Sequence, residues 1–358
     1  MHAFFLFVCN LMHPQPTRVL KASRLMMLLL SYTGSIGLPN PLPLQVSPLL
    51  KMLLLHHGDK YGDGADRSWI LGINPTGRVI VDIGLHDCNA VVDAVREGFI
   101  VHAFEPAPAH MANCHAKLAP EQRMDAPVAQ LVSGALAPAD WWTNVRKDLY
   151  KHRQNATGFA ILYQAAVSDA SSAGVNFTVG AGGSSSLHLS VEASIRLGKK
   201  DASRVPVPVI RLDDAVDEDL WLLKMDTQGN EAKVLAGATR LFERRTVAHV
   251  FTEFTPRLLR EAGSQPRQVL EHLQAAGFFC FDLRDSRFAP WALDGKHSLD
   301  ADAFIEEMDK NVEAALKAKR PSKWATTWGS FDDLACANVA KVWQPASVGA
   351  APGTYRTV

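Results

Sequence analysis

The stretch VIVDIGLHDC, Val79–Cys88, decides how the rest of the chain is read. Four aliphatic residues surround an aspartate and run into a glycine, followed by an awkward run ending in histidine, aspartate and cysteine. A nearly continuous apolar run of this kind reads as a strand covered on both faces that ends in a turn. An ionised carboxylate at the end of a covered strand is costly unless something pairs with it. Asp82 therefore poses a choice: a buried strand running into a turn, or an acid held there to grip a ligand.

Similar runs recur downstream as IVHAFE, FAILYQAAV, LWLLKMD, AHVFTEF and FFCFDL. Between them lie helical periods. Asn89–Gly98 ends on a glycine suited to a helix C-terminus. Glu231–Arg244 puts Val234, Leu235, Ala238 and Leu241 on one face, and Arg267–Gly277 does the same with Val269, Leu270 and Leu273. Alternating strand and helix predicts an α/β fold with a mostly parallel sheet and right-handed crossovers. VNFTVG and VPVPVIRL follow one another without a helix between them and predict an antiparallel insertion. After about Asp285 the strand signal fades. Asp300–Lys319 reads as a polar helix, and residues 291–358 as a helical or irregular C-terminal appendage to a domain spanning residues 59–290. No internal repeat is visible.

Composition removes several classes of function. A hydrophobic content of 47% is ample for a core and excludes a mainly disordered chain. Lys and Arg number 37, as do Asp and Glu, so no electrostatic case for nucleic acid exists. The five cysteines form no CxxC pair, which predicts reduced, buried thiols rather than a disulfide framework or a zinc site. Residues 1–58 contain no Asp or Glu but carry Arg18, Lys21, Arg24 and Lys51. Basic, acid-free leaders read as targeting segments, secretory or organellar, with a cytoplasmic chain as the alternative. The apolar runs of this leader are too short to span a bilayer. Asn155 and Asn176 head glycosylation triplets that matter only in a secreted chain.

Ligands of open α/β sheets sit at the carboxyl ends of the strands, near the switch in strand order. The run after VIVDIG ends on Glu105, about twenty residues beyond the turn, the spacing of an acid that takes ribose hydroxyls. A dinucleotide fails on glycine, because Leu85, His86, Asp87 and Cys88 leave no GxGxxG to cradle a pyrophosphate. The Walker pattern is also missing. A nucleoside without phosphates, bearing a cationic sulfonium, fits better, with Asp82 and Asp87 available to its amino-acid tail.

The ordered set DIG, FEP, AAVSD, SSSL, VIRLDD, KMDTQGNEAKVLAGA and FTEF resembles the FkbM-type family of S-adenosylmethionine-dependent methyltransferases over about Val79–Leu283. The late block is the specific one; DIG and FEP alone are weak. The resemblance implies a class I, Rossmann-like sheet with S-adenosyl-L-methionine along its first strands. Asp82 and Gly84 match the first motif, Glu105 the ribose acid, and Ala166 to Asp169 the adenine side. Asp226 matches the acid beside the methyl group and Glu253 the acid closing the next strand. Cys88 departs from the family pattern where a second glycine is usual, and Gln228 where an acid is common. The implied reaction is O-methylation of a hydroxyl on a sugar, glycan or small metabolite.

Methyl transfer to a hydroxyl needs alignment, exclusion of water and a group to take the proton. The candidates are Asp226, Glu253, His86 and His188. Asp226 competes with a role as cap of the helix beginning near Asn230. His188 lies in the Gly/Ser-rich loop GAGGSSSLHLS, either a lid or a solvated segment. His110, His115 and Cys114 have no metal-ligand spacing and read as packing residues. Two rivals remain: a Rossmann-like binding protein with weakened catalysis, and a nicotinamide-dependent oxidoreductase, which the missing glycines oppose.

Overall fold

The computed structural model describes residues 78–155, 157–179, 187, 203–282, 290–291, 301–317, 325–326, 329–330 and 332–338. The leader and His188 lie outside the described residues. The chain divides into two units, and all described residues belong to the one made of residues 74–284 and 289–358.

The opening stretch forms β1 (Val79–Ile83), with all five residues buried. It turns through Gly84 into α1 (Asn89–Glu97), whose Val91, Val92, Ala94 and Val95 are buried. Gly98 ends that helix at φ 103°, a left-handed value that glycine adopts without steric cost. There follow β2 (Ile100–Phe104), α2 (Pro108–Lys117), the short edge strand β3 (Arg123–Asp125) and α3 (Pro138–Gln154). The last of these, unanticipated in the sequence, buries Trp141, Trp142, Val145 and Leu149. Then come β4 (Phe159–Tyr163), β5 (Ala166–Val167), β6 (Ser172–Val179), β7 (Ser203–Ile210) and β8 (Leu220–Met225).

Glu231–Arg244 is two helices rather than the single one expected: α4 (Glu231–Ala236) and α5 (Thr239–Arg244). The break has a cause. A Cβ at Gly237 would lie 2.1 Å from the Ser168 carbonyl oxygen, so only glycine lets the chain pass this close. Beyond it, buried Asp213 accepts the Arg240 and Leu241 amides and so caps α5. The chain continues through β9 (Val247–Phe254), α6 (Pro266–Ala275), β10 (Phe278–Asp282) and β11 (Pro290–Trp291). It then forms α7 (Ala301–Lys317) and β12 (Asp332–Asn338). The helix α7 is not polar all round, since Ala301, Phe304, Ile305 and Met308 are buried on one face.

Among the described residues, nine strands form the main sheet in the order β11-β10-β12-β9-β8-β1-β2-β4-β3. Neighbours from β3 to β9 are parallel, and β12 runs antiparallel between β9 and β10. The C-terminal segment, read from sequence as an appendage, thus supplies an interior strand of the sheet. The predicted insertion does pair antiparallel, β6 with β7, but in a separate three-stranded sheet completed by β5. The cysteine reading is corrected as well. Cys88 pairs with Cys114 and Cys280 with Cys336 in disulfides. Sequence separations of 26 and 56 residues hide what folding brings together.

Candidate functional site

Strand order reverses direction at β1: the chain first builds outward through β2 and β4, then returns to lay β8 on the other side. The carboxyl ends of β1 and β8 therefore border the switch point, where open α/β sheets hold ligands. The two ends are bound closely. The Asp226 amide donates to Ile83 O at 2.9 Å, and the Gly84 amide donates to Phe104 O at 2.9 Å. Gly84 sits at φ 89°, and a Cβ there would lie 2.0 Å from the Asp226 carbonyl oxygen. Only glycine fits.

A cleft opens over this point, lined by Gly84, His86, Glu105, His110, Ala166 and Asp226 among others. Its apolar wall comes from Ile83, Ala165, Val167 and, from the insertion, Phe177 and Leu187. Glu105 is 3% exposed. Its Oε2 accepts the Leu85 amide at 3.1 Å and its Oε1 the Ala107 amide at 2.8 Å. His110 Nδ1 lies 3.5 Å from Oε1. That contact with Glu105 raises the imidazole above its usual range, against the opposing effect of burial. A carboxylate offers about four acceptor sites, so two amides leave Glu105 able to accept further donors from the cleft.

The turn itself spends its amides internally. Leu85 N–H is held by Glu105, Cys88 N–H by Leu85 O at 2.8 Å, and Asn89 N–H by Asp87 Oδ1 at 3.0 Å. Donors used in this way are not free to cradle a phosphate. Asp87 thus caps its own turn.

Asp82 does not line the cleft. It pairs in register with Lys224 of β8, whose Nζ lies 3.1 Å from Asp82 Oδ1 and donates to Gly84 O at 2.7 Å. Both side chains are under a tenth exposed. The aspartate of the opening stretch is therefore matched by an internal cation, and the pair fixes the glycine carbonyl. Lys224 was missed in the sequence, although a lysine inside an apolar strand opposite an acid is a readable signal.

The block KMDTQGNE resolves into separate tasks. Asp226 faces the cleft. Gln228, left-handed at φ 55°, donates through Nε2 to Asp226 Oδ1 at 2.8 Å and to Glu253 Oε2 at 2.6 Å. Asn230 Nδ2 donates to Val167 O at 2.6 Å and ties the loop to the insertion side. Glu231 accepts the amides of Thr227 and Gly229 and closes the loop on itself. Asn230, not Asp226, occupies the N-cap position of α4, which removes the capping role weighed for Asp226. Glu253 stands behind Asp226 rather than on the cleft wall. Burial, then Asp226 and Asp333, push its carboxyl well above the usual range. Asp169 is exposed and accepts from Ser168 Oγ at 3.1 Å, away from the cleft wall. His86 and His110, treated cautiously in the sequence, meet edge to face at 5.7 Å on the cleft wall. His115 instead pairs with Asp125 at 3.1 Å. Among the described residues, no cluster of His, Cys, Asp or Glu could hold a metal ion, and no helix is long and apolar enough to cross a membrane.

A sheet parallel from β3 to β9, with the reversed strand β12 inserted between β9 and β10, and a cleft over the β1/β8 switch lined by Glu105 and Asp226, define a class I methyltransferase architecture. The chain belongs to the family of the methyltransferase FkbM domain, whose model matches residues 82–280. Solved structures give weaker likenesses. One is the methyltransferase FkbM from Methylobacillus flagellatus KT, at 13% identity and TM-score 0.28, with 55% of this chain covering 37% of that one. Another is the O-methyltransferase from Bacillus cereus in complex with SAH, at 9% identity and TM-score 0.32, with 87% and 97% covered. A third is geranyl diphosphate C-methyltransferase from Streptomyces coelicolor A3(2), at 11% identity and TM-score 0.29, with 79% and 84% covered. At these scores the likeness decides nothing, and the fold rests on the strand order. Comparison with curated proteins found no match.

Proposed function

We propose that this protein is an S-adenosylmethionine-dependent methyltransferase acting on a hydroxyl of a sugar, glycan or small metabolite. The observation that carries the reading is Glu105, a buried carboxylate at the end of β2 with acceptor capacity left toward the cleft. Two vicinal ribose hydroxyls supply donors suited to it. The adjoining apolar wall of Ile83, Ala165, Ala166 and Val167 suits a flat purine, and the spent amides of the turn disfavour a pyrophosphate. When bound, S-adenosylmethionine supplies a methyl group on a positively charged sulfur. The protein's part is to hold the acceptor in line, exclude water and take its proton.

Asp226 faces the cleft as Glu105 does, and Gln228 couples it to Glu253. Burial and the neighbouring Asp226 push the Glu253 carboxyl upward and it stands off the cleft wall, so Asp226, on that wall, is the acceptor assigned to the hydroxyl proton. Asp82 orients the turn through Lys224 and Gly84. A carboxylate on the cleft wall that can take a proton favours a hydroxyl acceptor. The alternative, a protein that binds the cofactor without turnover, is favoured by the same Gln228 bridge, which occupies part of Asp226.

The test is titration of the full chain with S-adenosylhomocysteine by calorimetry, repeated for Glu105→Gln. An amide can keep only one of the two backbone bonds and loses the charge. Binding should weaken by about 1–3 kcal/mol, roughly 5- to 150-fold. Equal affinity in a folded variant would remove Glu105 from the site. A screen of hydroxylated acceptors then separates turnover from binding alone.

A further inference from the structure

The turn after β1 is unusual in its backbone. His86 at φ 47° and Cys88 at φ 63° both occupy the left-handed region although neither is glycine. For a residue with a Cβ that conformation is disfavoured by a factor of roughly 5–30. Something must hold it. Cys88 is the N-cap residue of α1 but makes no side-chain cap bond, because its sulfur is joined to Cys114 of α2. Both cysteines are fully buried. Beside the disulfide, Asn113 Nδ2 and Lys117 Nζ donate to the Asp87 carbonyl at 2.9 and 2.6 Å.

The same helix fixes the ligand acid at its other end. Ala107, the residue before α2, donates its amide to Glu105 Oε1, and His110 in its first turn contacts the same oxygen. A closed circuit results: Leu85 N–H to Glu105, Glu105 to the start of α2, α2 through Cys114 to Cys88, and Cys88 N–H back to Leu85 O.

We propose that Cys88 and Cys114 are positioning residues for the cofactor: their disulfide holds the turn in a backbone shape that glycine would adopt unaided, and so keeps Glu105 and the floor of the cleft in their binding arrangement. The inference rests on the cofactor reading above. It predicts that the crosslink is dispensable for binding when position 88 is glycine. The second disulfide, Cys280–Cys336, joins β10 to β12 beyond β9 and β8 and serves as an internal control.

The experiment uses full-length protein expressed by an oxidising route and purified without reductant. Peptide mapping without reduction should recover residues 88 and 114 crosslinked; free thiols at both would overturn the proposal. Calorimetric titration with S-adenosylhomocysteine then compares wild type, Cys114→Ala, Cys88→Gly with Cys114→Ala, and Cys280→Ala with Cys336→Ala. Cys114→Ala should bind about 5- to 30-fold more weakly. The Cys88→Gly, Cys114→Ala double variant should return to within about twofold of wild type while its melting temperature stays low, a split that mere crosslink stability does not produce. The Cys280, Cys336 variant should bind as wild type does. Reducing the wild-type protein should cause the same loss as Cys114→Ala, which keeps the test open if that variant does not fold. Unchanged affinity without the crosslink, or no recovery with glycine, overturns this inference alone. Failure of wild type to bind overturns the cofactor reading and this inference with it.

Discussion

Lys224→Met is the perturbation that most directly probes how the cleft is held. The wild-type ammonium makes a 2.7 Å bond to Gly84 O and a 3.1 Å pair with Asp82, both in surroundings less than a tenth exposed. Methionine fills similar volume but leaves the Asp82 carboxylate buried without its cation and the Gly84 carbonyl without that donor. Removing one partner of a buried pair costs about 3–5 kcal/mol, and the lost carbonyl bond is part of that figure rather than an addition. Total stabilities run at about 5–15 kcal/mol, so at least about a fifth of the stability is at stake. At about 2–4 °C per kcal/mol the melting temperature should fall by roughly 6–20 °C. The assay is urea unfolding followed by tryptophan fluorescence without reductant, with the double variant Asp82→Leu, Lys224→Met alongside. Replacing both charges removes the orphaned carboxylate, so the double variant should recover most of the loss. A single variant that loses under about 1 kcal/mol, or a double variant as unstable as the single, would refute the view that this pair holds the turn.

Asp226→Asn keeps an oxygen to accept from Gln228 and touches no helix cap, so the melting temperature should hold while turnover of any accepted substrate falls by about 10²-fold or more. Wild-type turnover in that variant would leave Glu253 as the proton acceptor. Stability against pH tests the Glu253 environment. Its folded carboxyl is raised above the usual 4.5, so the native state binds a proton that the unfolded chain releases, and stability falls as pH rises from about 4.5 through the folded value. Glu253→Gln should match wild type near pH 4, exceed it at pH 8, and flatten the slope; parallel stability curves for the two proteins would discount the raised carboxyl.

Much of this fold was legible because its strands are continuous apolar runs. VIVDI, IVHAF, FAILY and LWLLKM need no partner to be recognised, since each is buried on both faces. The strand β12 was not, although it lies inside the sheet. DDLACAN is a weak run of small and acidic residues, and its identity as a strand comes from pairing with β9 and β10, far away in sequence. Both disulfides were invisible for the same reason. In the site, Gly84, Glu105 and Asp226 were legible as residues at strand ends and Ala166 through the family resemblance, and the cleft gathers all four. Asp169 lies exposed beyond Val167, where the chain has left the cleft wall. His110 was passed over because its meaning lies in one contact with Glu105, three-dimensional information that periodicity does not carry.

The two departures from the family pattern were the natural grounds for doubting that the cleft is competent, and the structure gives each a local partner. Glycine is the economical residue for a left-handed turn, yet Cys88 takes that conformation with Cys114 bonded to it. An acid at position 228 would put a third carboxylate beside Asp226 and Glu253, two groups already repelling one another across a short gap. Gln228 instead donates to both. It lowers the cost of keeping two acids together at the ends of β8 and β9, while leaving one of them open to the cleft. The departures therefore act on different parts of the site, the first on the shape of the turn and the second on the charge beside the acceptor. That separation has a consequence for measurement: changes at Cys88 should appear in cofactor affinity, and changes at Gln228 in the pH dependence of turnover.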